Sequence, residues 1–266
     1  QIGVQGYPIW RSARLFVAGF PLAVTPGKVG EALKAVWLHR ETGAPTASGI
    51  AVVLAERISD GLAVLALSAL GVIAYPQFWL AFTAILVLLL TIVLVSQIRP
   101  LALWSLSQLA RFPILRQYSP RLIEFYESSF AVFRPKASLT AVVLGTISWL
   151  GEGIGFYLIL LGLGMTPSWG LASTAVFILA FSTVVGAAST LPGGLGAAEA
   201  SIAGMLVMLL TLPVELSTAA TLLIRFATLW FGVSLGIAIW AFSPDLLSLA
   251  NNHHASVVEP FNTPQR

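Results

Sequence analysis

The chain contains no cysteine. Disulfides, thiolate metal sites and cysteine nucleophiles are thereby excluded, and nothing about redox compartment follows. Charge is scarce as well. Asp, Glu, Lys and Arg make up 9% of residues, against roughly 25% in soluble domains. Histidine is limited to His39, His253 and His254, two of them in a polar tail. They form no metal-ligand spacing, so neither a metal nor a cofactor is expected. No Gly-Lys-Ser/Thr follows the glycine-rich runs and no strand pattern precedes them, which removes the nucleotide-loop reading. No Ser/His/Asp arrangement exists, and Ser189, Thr190 and Ser201 are weak candidates for chemistry on a lipid head. A basic surface interleaved with aromatics, as nucleic-acid binding requires, is also missing.

What is present is apolar. Hydrophobic types fill 57% of the 266 residues and mean hydropathy is +0.89. A soluble fold of this length has no way to hide that much apolar surface, so the bilayer is the solvent. The pattern predicts an all-α, polytopic integral membrane protein. Stretches 46–75, 77–96, 138–163 and 215–242 are long enough to cross roughly 30 Å of hydrocarbon. Two more, 12–38 and 169–212, are apolar but broken by Pro-Gly. Gln1 starts in mid-pattern without Met or signal peptide, and further helices are expected upstream.

Lys and Arg mark the cytoplasmic side. Segment 97–137 holds Arg99, Arg111, Arg116, Arg121, Arg134 and Lys136, opposed by Glu124 and Glu127. It is too polar to span and reads as a cytoplasmic region of amphipathic, interface-lying helices. Counting crossings from there, with tail 243–266 also cytoplasmic, leaves 169–212 entering and leaving on the outside. It becomes a re-entrant hairpin bent at Leu191-Pro192-Gly193-Gly194. Arg11 and Arg14 before the break at Pro26-Gly27, and Lys34 and Arg40 after it, make 12–38 a second re-entrant hairpin, entered from inside.

The two hairpins resemble each other. One reads Pro26-Gly27-Lys28-Val29-Gly30-Glu31 and the other Pro192-Gly193-Gly194-Leu195-Gly196-Ala197-Ala198-Glu199. Glu31 precedes Arg57 by 26 residues, and Glu199 precedes Arg225 by the same 26. Opposite entry sides make this an inverted-topology repeat, whose transport sites lie near the midplane where broken helices meet. A Pro-Gly break frees backbone N–H and C=O groups that lipid cannot satisfy. A helix starting after the bend also aims its positive end at the membrane centre, where an anion such as phosphate is stabilised.

Charge inside a membrane needs a partner or a purpose. The candidates are Glu31, Glu56, Arg57, Asp60, Glu152, Glu199 and Arg225. Arg57 and Arg225 are the phosphate ligands by chemistry, because a guanidinium grips two oxygens at once. Glu31 and Glu199 hold the arginines or carry a coupling proton. Glu56, Asp60 and Glu152 are candidates for coupling or pairing. The competing reading is that all of these are structural ion pairs, and that Gly27, Gly30, Gly193, Gly194 and Gly196 serve only tight turning and close packing.

These motifs together, Thr25 to Glu31, Ala55-Glu56-Arg57-Ile58-Ser59-Asp60 and Leu191 to Glu199, resemble the transmembrane region of lysylphosphatidylglycerol synthases, also called the flippase-like domain family. The resemblance covers about residues 12–242. It implies that 1–242 is a flippase-like transmembrane domain of the prokaryotic plasma membrane that moves lipids with polar heads between leaflets. The aminoacyl-transferase domain of one branch has no counterpart here, which argues against an enzyme. The expected partner is a membrane lipid, either an anionic phospholipid or a polyprenyl-phosphate-linked substrate, with its phosphate between the hairpin tips and beside the amides after Pro26 and Pro192. An ion-coupled transporter of a small soluble anion and a non-catalytic scaffold are the alternatives. Oligomeric state is open.

Overall fold

The computed structural model describes residues 7–75, 77, 79–109, 111, 123, 125–127 and 135–247. About half of the basic segment 97–137, including Arg116, Arg121 and Arg134, the tail beyond 247 with His253 and His254, and Gln1 lie outside the described residues. Regular structure among the described residues is entirely helical. In chain order the helices are α1 (Ile9–Ala18), α2 (Leu33–Thr42), α3 (Thr46–Ala74), α4 (Trp79–Gln97), α5 (Arg99–Leu109), α6 (Pro135–Gly162), α7 (Trp169–Ala188), α8 (Ala197–Leu210), α9 (Val214–Phe242) and the short α10 (Pro244–Leu247). By length and composition, α6, α7, α8 with its preceding turn, and α9 are each able to cross a membrane. Helix α4 turns by 108° into α5.

Punctuation in the sequence sets the helix ends. α2 stops at Gly43, which takes the left-handed conformation at φ 70° and donates its N–H to the His39 carbonyl, the conformation glycine adopts at no steric cost. The His39 ring contacts the Ala44 carbonyl oxygen at 2.7 Å. α7 begins at Ser168, whose hydroxyl accepts from the Leu171 amide. It is apolar all round, as a helix surrounded by protein must be. α3, α6 and α7 pack on one another, and α8 and α9 join them. The core they share contains Phe156, Leu160, Phe177, Ile178, Ile202 and Leu206, all fully buried. Gly71 of α3 lies flat against Phe177, where a Cβ would come within 2.0 Å of the ring.

The first broken segment doubles back. Arg14 of α1 and Glu41 of α2 pair at 2.6 Å, and the Tyr7 hydroxyl donates to the same carboxylate. The second does likewise: Ser182 of α7 meets Ser201 of α8 at 3.0 Å, and Gly186 packs on Ala198. The first hairpin is fastened to the far end of the chain. The Trp37 indole donates to the Leu246 carbonyl, the Trp240 indole to that of Ala18, and Arg14 lies 3.3 Å from Asp245. Gly236 makes the docking possible, because a Cβ there would sit 2.2 Å from Pro21 Cδ and 2.8 Å from the Val17 carbonyl oxygen. Gly236→Ala is therefore expected to cost about 1–3 kcal/mol, read as a lower thermal midpoint in detergent. An unchanged midpoint would mean that this hairpin is not held by α9.

Candidate functional site

The turn after α1 runs through two short 3₁₀ segments, Phe20–Val24 and Pro26–Ala32. Thr25 closes it: its hydroxyl donates to the Leu22 carbonyl and accepts from the Gly30 amide. Gly27 and Lys28 both adopt the left-handed region, at φ 58° and 56°. Gly27 does so freely, whereas Lys28 is held there against its Cβ. The turn between α7 and α8 is built differently. Thr190 is left-handed at φ 55°, and Gly193, Gly194 and Gly196 have positive φ. Here only glycine fits at 194, where a Cβ would meet the Gly186 Cα at 3.0 Å. Backbone strain at a β-branched residue and at a lysine marks both turns as places where the surroundings over-determine the chain.

The two turns touch. The Gly27 amide donates to the Thr190 carbonyl at 3.1 Å, and Gly193 lies against Val24. Beside this junction is a cavity of about 620 Å³. Its charged lining is Lys28, Glu31, Arg57, Asp60, Glu152 and Arg225. Trp149, Ser182, Thr183 and Thr228 add polar or amphipathic edges, and the remaining wall is mainly aliphatic.

The two acid–arginine pairs of equal spacing both form, but they are not alike. Arg225 Nε donates to Glu199 Oε1 at 2.5 Å, and Nη2 donates to the Gly193 carbonyl at 2.8 Å. The other Glu199 oxygen accepts from the Gly196 amide at 2.7 Å, capping α8 in the manner of an acid at the third helical position. One closed ring of bonds thus ties the second turn to α9. Directly after Arg225, α9 widens into a π-helical turn at Phe226–Trp230. Such turns leave the regular ladder and recur at functional sites.

Arg57 has looser company. Its Nε lies 3.3 Å from Glu31 Oε2, and neither atom has a hydrogen-bond partner of good geometry among the described residues. Nη2 lies 3.1 Å from Asp60 and 3.9 Å from Glu56, which also faces Lys34 at 3.5 Å. The Glu31 side chain is only 4% exposed, while that of Arg57 is 35% exposed. Glu152 has no ion-pair partner among the described residues. It faces the cavity from α6, opposite Asp60.

The structure therefore brings Gly27, Glu31, Arg57, Asp60, Glu152, Gly193, Gly194 and Arg225 to one cavity. Glu56 and Glu199 are not in its lining; Glu199 is hydrogen-bonded to Arg225, while Glu56 lies 3.9 Å from Arg57. Gly30 and Gly196 shape the turns, and Pro26 and Pro192 open the 3₁₀ segments that follow them. The amides of Gly27, Lys28, Gly30, Gly194, Leu195 and Gly196 are already engaged within the protein. Short polar residues and carbonyls of the turns themselves satisfy these six. Sequence reasoning missed Lys28 as a ligand candidate, along with Thr25 and Thr190 as closing elements. For Lys28 the signal was its place inside the Pro-Gly run; the left-handed backbone that aims it has none.

A profile of the family described as the lysylphosphatidylglycerol synthase TM region matches residues 4–236. A UPF0104 membrane protein of Methanothermobacter thermautotrophicus is 26% identical over 223 residues, which is 78% of this chain. The chain spans 66% of that relative's length. No solved structure matches.

Proposed function

We propose that this chain, which belongs to the lysylphosphatidylglycerol synthase TM region family, translocates between leaflets a lipid or lipid-linked glycan whose head carries an anionic phosphate. The chain is an integral membrane protein, by its family and by its apolar helices. One observation carries the rest of the reading. Two Pro-Gly turns far apart in sequence touch at their tips, and the cavity beside them holds Lys28, Arg57 and Arg225. In an apolar chain with 9% charge, three cations and three carboxylates gathered on one cavity need a purpose, and guanidinium and ammonium groups beside apolar exits suit a phosphate head.

On this reading 12–38 and 169–212 are re-entrant hairpins of an inverted repeat, and residues 1–242 form one domain. Segment 97–137 and the C-terminus are cytoplasmic, and the membrane is a prokaryotic plasma membrane. The headgroup sits in the cavity, and the acyl or polyprenyl chain leaves past the exposed Val29, Leu54 and Leu191 into lipid. Since six of the turn amides are engaged, phosphate contact falls mainly to side chains. Arg57 and Lys28 make it, while Arg225 mainly holds the second turn in shape. Rocking of the two halves exposes the site to either leaflet in turn.

The test is leaflet exchange in proteoliposomes, with a labelled anionic phospholipid and a labelled polyprenyl phosphate in parallel. Arg57→Ala removes a charge-assisted contact worth about 1.5–3 kcal/mol, so exchange of the true substrate class slows by about 10–100-fold. Thermal unfolding of each variant in detergent separates loss of transport from loss of fold, since Arg57→Ala leaves the buried Glu31 without its arginine. Normal exchange by both Arg57→Ala and Lys28→Ala would sink the headgroup assignment. Exchange of neither lipid by the unaltered protein would favour a small soluble anion as cargo.

A further inference from the structure

Resting on the headgroup reading above, we propose that binding of a phosphodiester headgroup in the cavity is coupled to uptake of one proton, and that Glu152 carries it. The cavity wall is electrically balanced when every group is ionised: Lys28, Arg57 and Arg225 face Glu31, Asp60 and Glu152. A monoanion entering such a site leaves an uncompensated negative charge in a low-dielectric interior, which is strongly disfavoured. Protonating one carboxylate leaves the wall with a single positive charge, the complement of a phosphodiester.

Geometry selects which carboxylate. Asp60 has Arg57 Nη2 at 3.1 Å, and Glu31 has Arg57 Nε at 3.3 Å. Glu199, behind the wall, has Arg225 at 2.5 Å, and Glu56 has Lys34 at 3.5 Å. Protonating Glu199 or Glu56 would take from Arg225 or Lys34 its ion-pair partner, and protonating Asp60 or Glu31 would weaken the pairing of Arg57. Glu152 has no cation within ion-pair distance among the described residues, and the charge facing it from α3 is the like charge of Asp60. α7, the other helix against this wall, offers the hydroxyls of Ser182 and Thr183 and no titratable group to the cavity. From the first turn come Lys28 and Glu31, and from α9 comes Arg225. The second turn contributes no titratable side chain to the lining. Glu31, another residue of the lining, adds an independent sign that the site awaits a ligand, since its nearly fully buried Oε2, 3.3 Å from Arg57 Nε, has no hydrogen-bond partner among the described residues.

The experiment is calorimetric titration of the purified full chain in detergent. The ligands are dihexanoyl phosphatidylglycerol and, separately, glycerophosphoglycerol, whose phosphodiesters keep one charge at every pH used. Repeating each titration in two buffers of different ionisation enthalpy gives the protons taken up per ligand. The expected result is an uptake approaching one, with affinity falling about tenfold per pH unit once Glu152 is ionised in the free protein. Glu152→Gln should bind without proton uptake and with affinity independent of pH, whereas Glu152→Asp should retain both dependences. Binding without uptake by the unaltered protein overturns the coupling and leaves the headgroup reading intact. Uptake that persists in Glu152→Gln overturns the assignment to this residue. Binding of neither ligand overturns the headgroup reading and this inference with it. Equal affinity for the two ligands marks a soluble phosphodiester as sufficient, and a preference for the acylated one marks a lipid; proton uptake supports the coupling in either case.

Discussion

Arg225→Ala lowers stability by about 3–5 kcal/mol and abolishes leaflet exchange. Three bonds explain the size. The guanidinium holds Glu199 through Nε and the Gly193 carbonyl through Nη2, and Glu199 in turn caps α8 through the Gly196 amide. Removing the arginine strands a partly buried carboxylate and a turn carbonyl together, and the cost of an orphaned buried charge exceeds the net worth of the pair itself. The comparison that isolates this cause is the double replacement Glu199→Gln/Arg225→Leu. It removes both charges, so a large part of the stability returns, but exchange does not, because the turn is no longer held. Thermal unfolding in detergent measures the first quantity and proteoliposome exchange the second. If Arg225→Ala melts with the unaltered protein, the ring of bonds does not form as described. Arg57→Ala should cost less stability than Arg225→Ala, because Arg57 Nε makes no hydrogen bond of good geometry to the buried Glu31 and Lys28 remains on the same cavity wall, while function is lost in both.

Gly194→Ala is expected to be nearly as damaging, by about 2–4 kcal/mol, for reasons unrelated to charge. Its φ is 67°, a conformation that an L side chain adopts only with strain, and its Cβ would meet the Gly186 Cα at 3.0 Å and the Gly186 carbonyl at 3.3 Å. Those are backbone atoms of α7, so no side chain can swing away to relieve the overlap. Gly196→Ala supplies the internal control. That glycine also has positive φ, 84°, but a Cβ there meets nothing within 4 Å. Strain without collision should cost about 1 kcal/mol. Equal thermal shifts for the two variants would refute the close approach of the second turn to α7.

The all-helical fold was legible because hydropathy is dominated by the solvent, and lipid leaves an apolar helix little alternative. Thr46–Ala74, Pro135–Gly162 and Val214–Phe242 fall within a few residues of the stretches 46–75, 138–163 and 215–242. Their limits are set by Pro45, Gly162 and the end of an apolar run. The acid–arginine pairs were legible too, since an equal spacing of 26 residues survives folding as two actual ion pairs. What a spacing does not carry is orientation. Glu31 and Glu199 read alike in sequence, yet Glu199 caps a helix while Glu31 is buried beside an arginine that it does not bond well. That difference depends on Thr25, which closes the first turn and frees Glu31 from the capping role. That the two turns lie together was expected from the repeat, but the atoms that join them, the Gly27 amide and the Thr190 carbonyl, come together only through tertiary packing. Lys28 escaped for a similar reason: its direction follows from a left-handed backbone that neighbouring residues impose.

Where the two turns meet, the seam is thin. The Gly27–Thr190 bond is the one backbone hydrogen bond between them among the described residues, and such a bond is worth about 0.5–1.5 kcal/mol net. Thermal agitation alone parts a join of that strength often. Resistance to opening must therefore reside at the periphery, where Arg14 bridges Glu41 and Asp245 and the Trp37 and Trp240 indoles pin α1 and α2 to the chain's far end. If the two halves rock as proposed, that arrangement makes the centre a line of low resistance and the rim a brake. The pace of a cycle would then be tuned at Arg14 and Trp240, well away from anything the cargo touches.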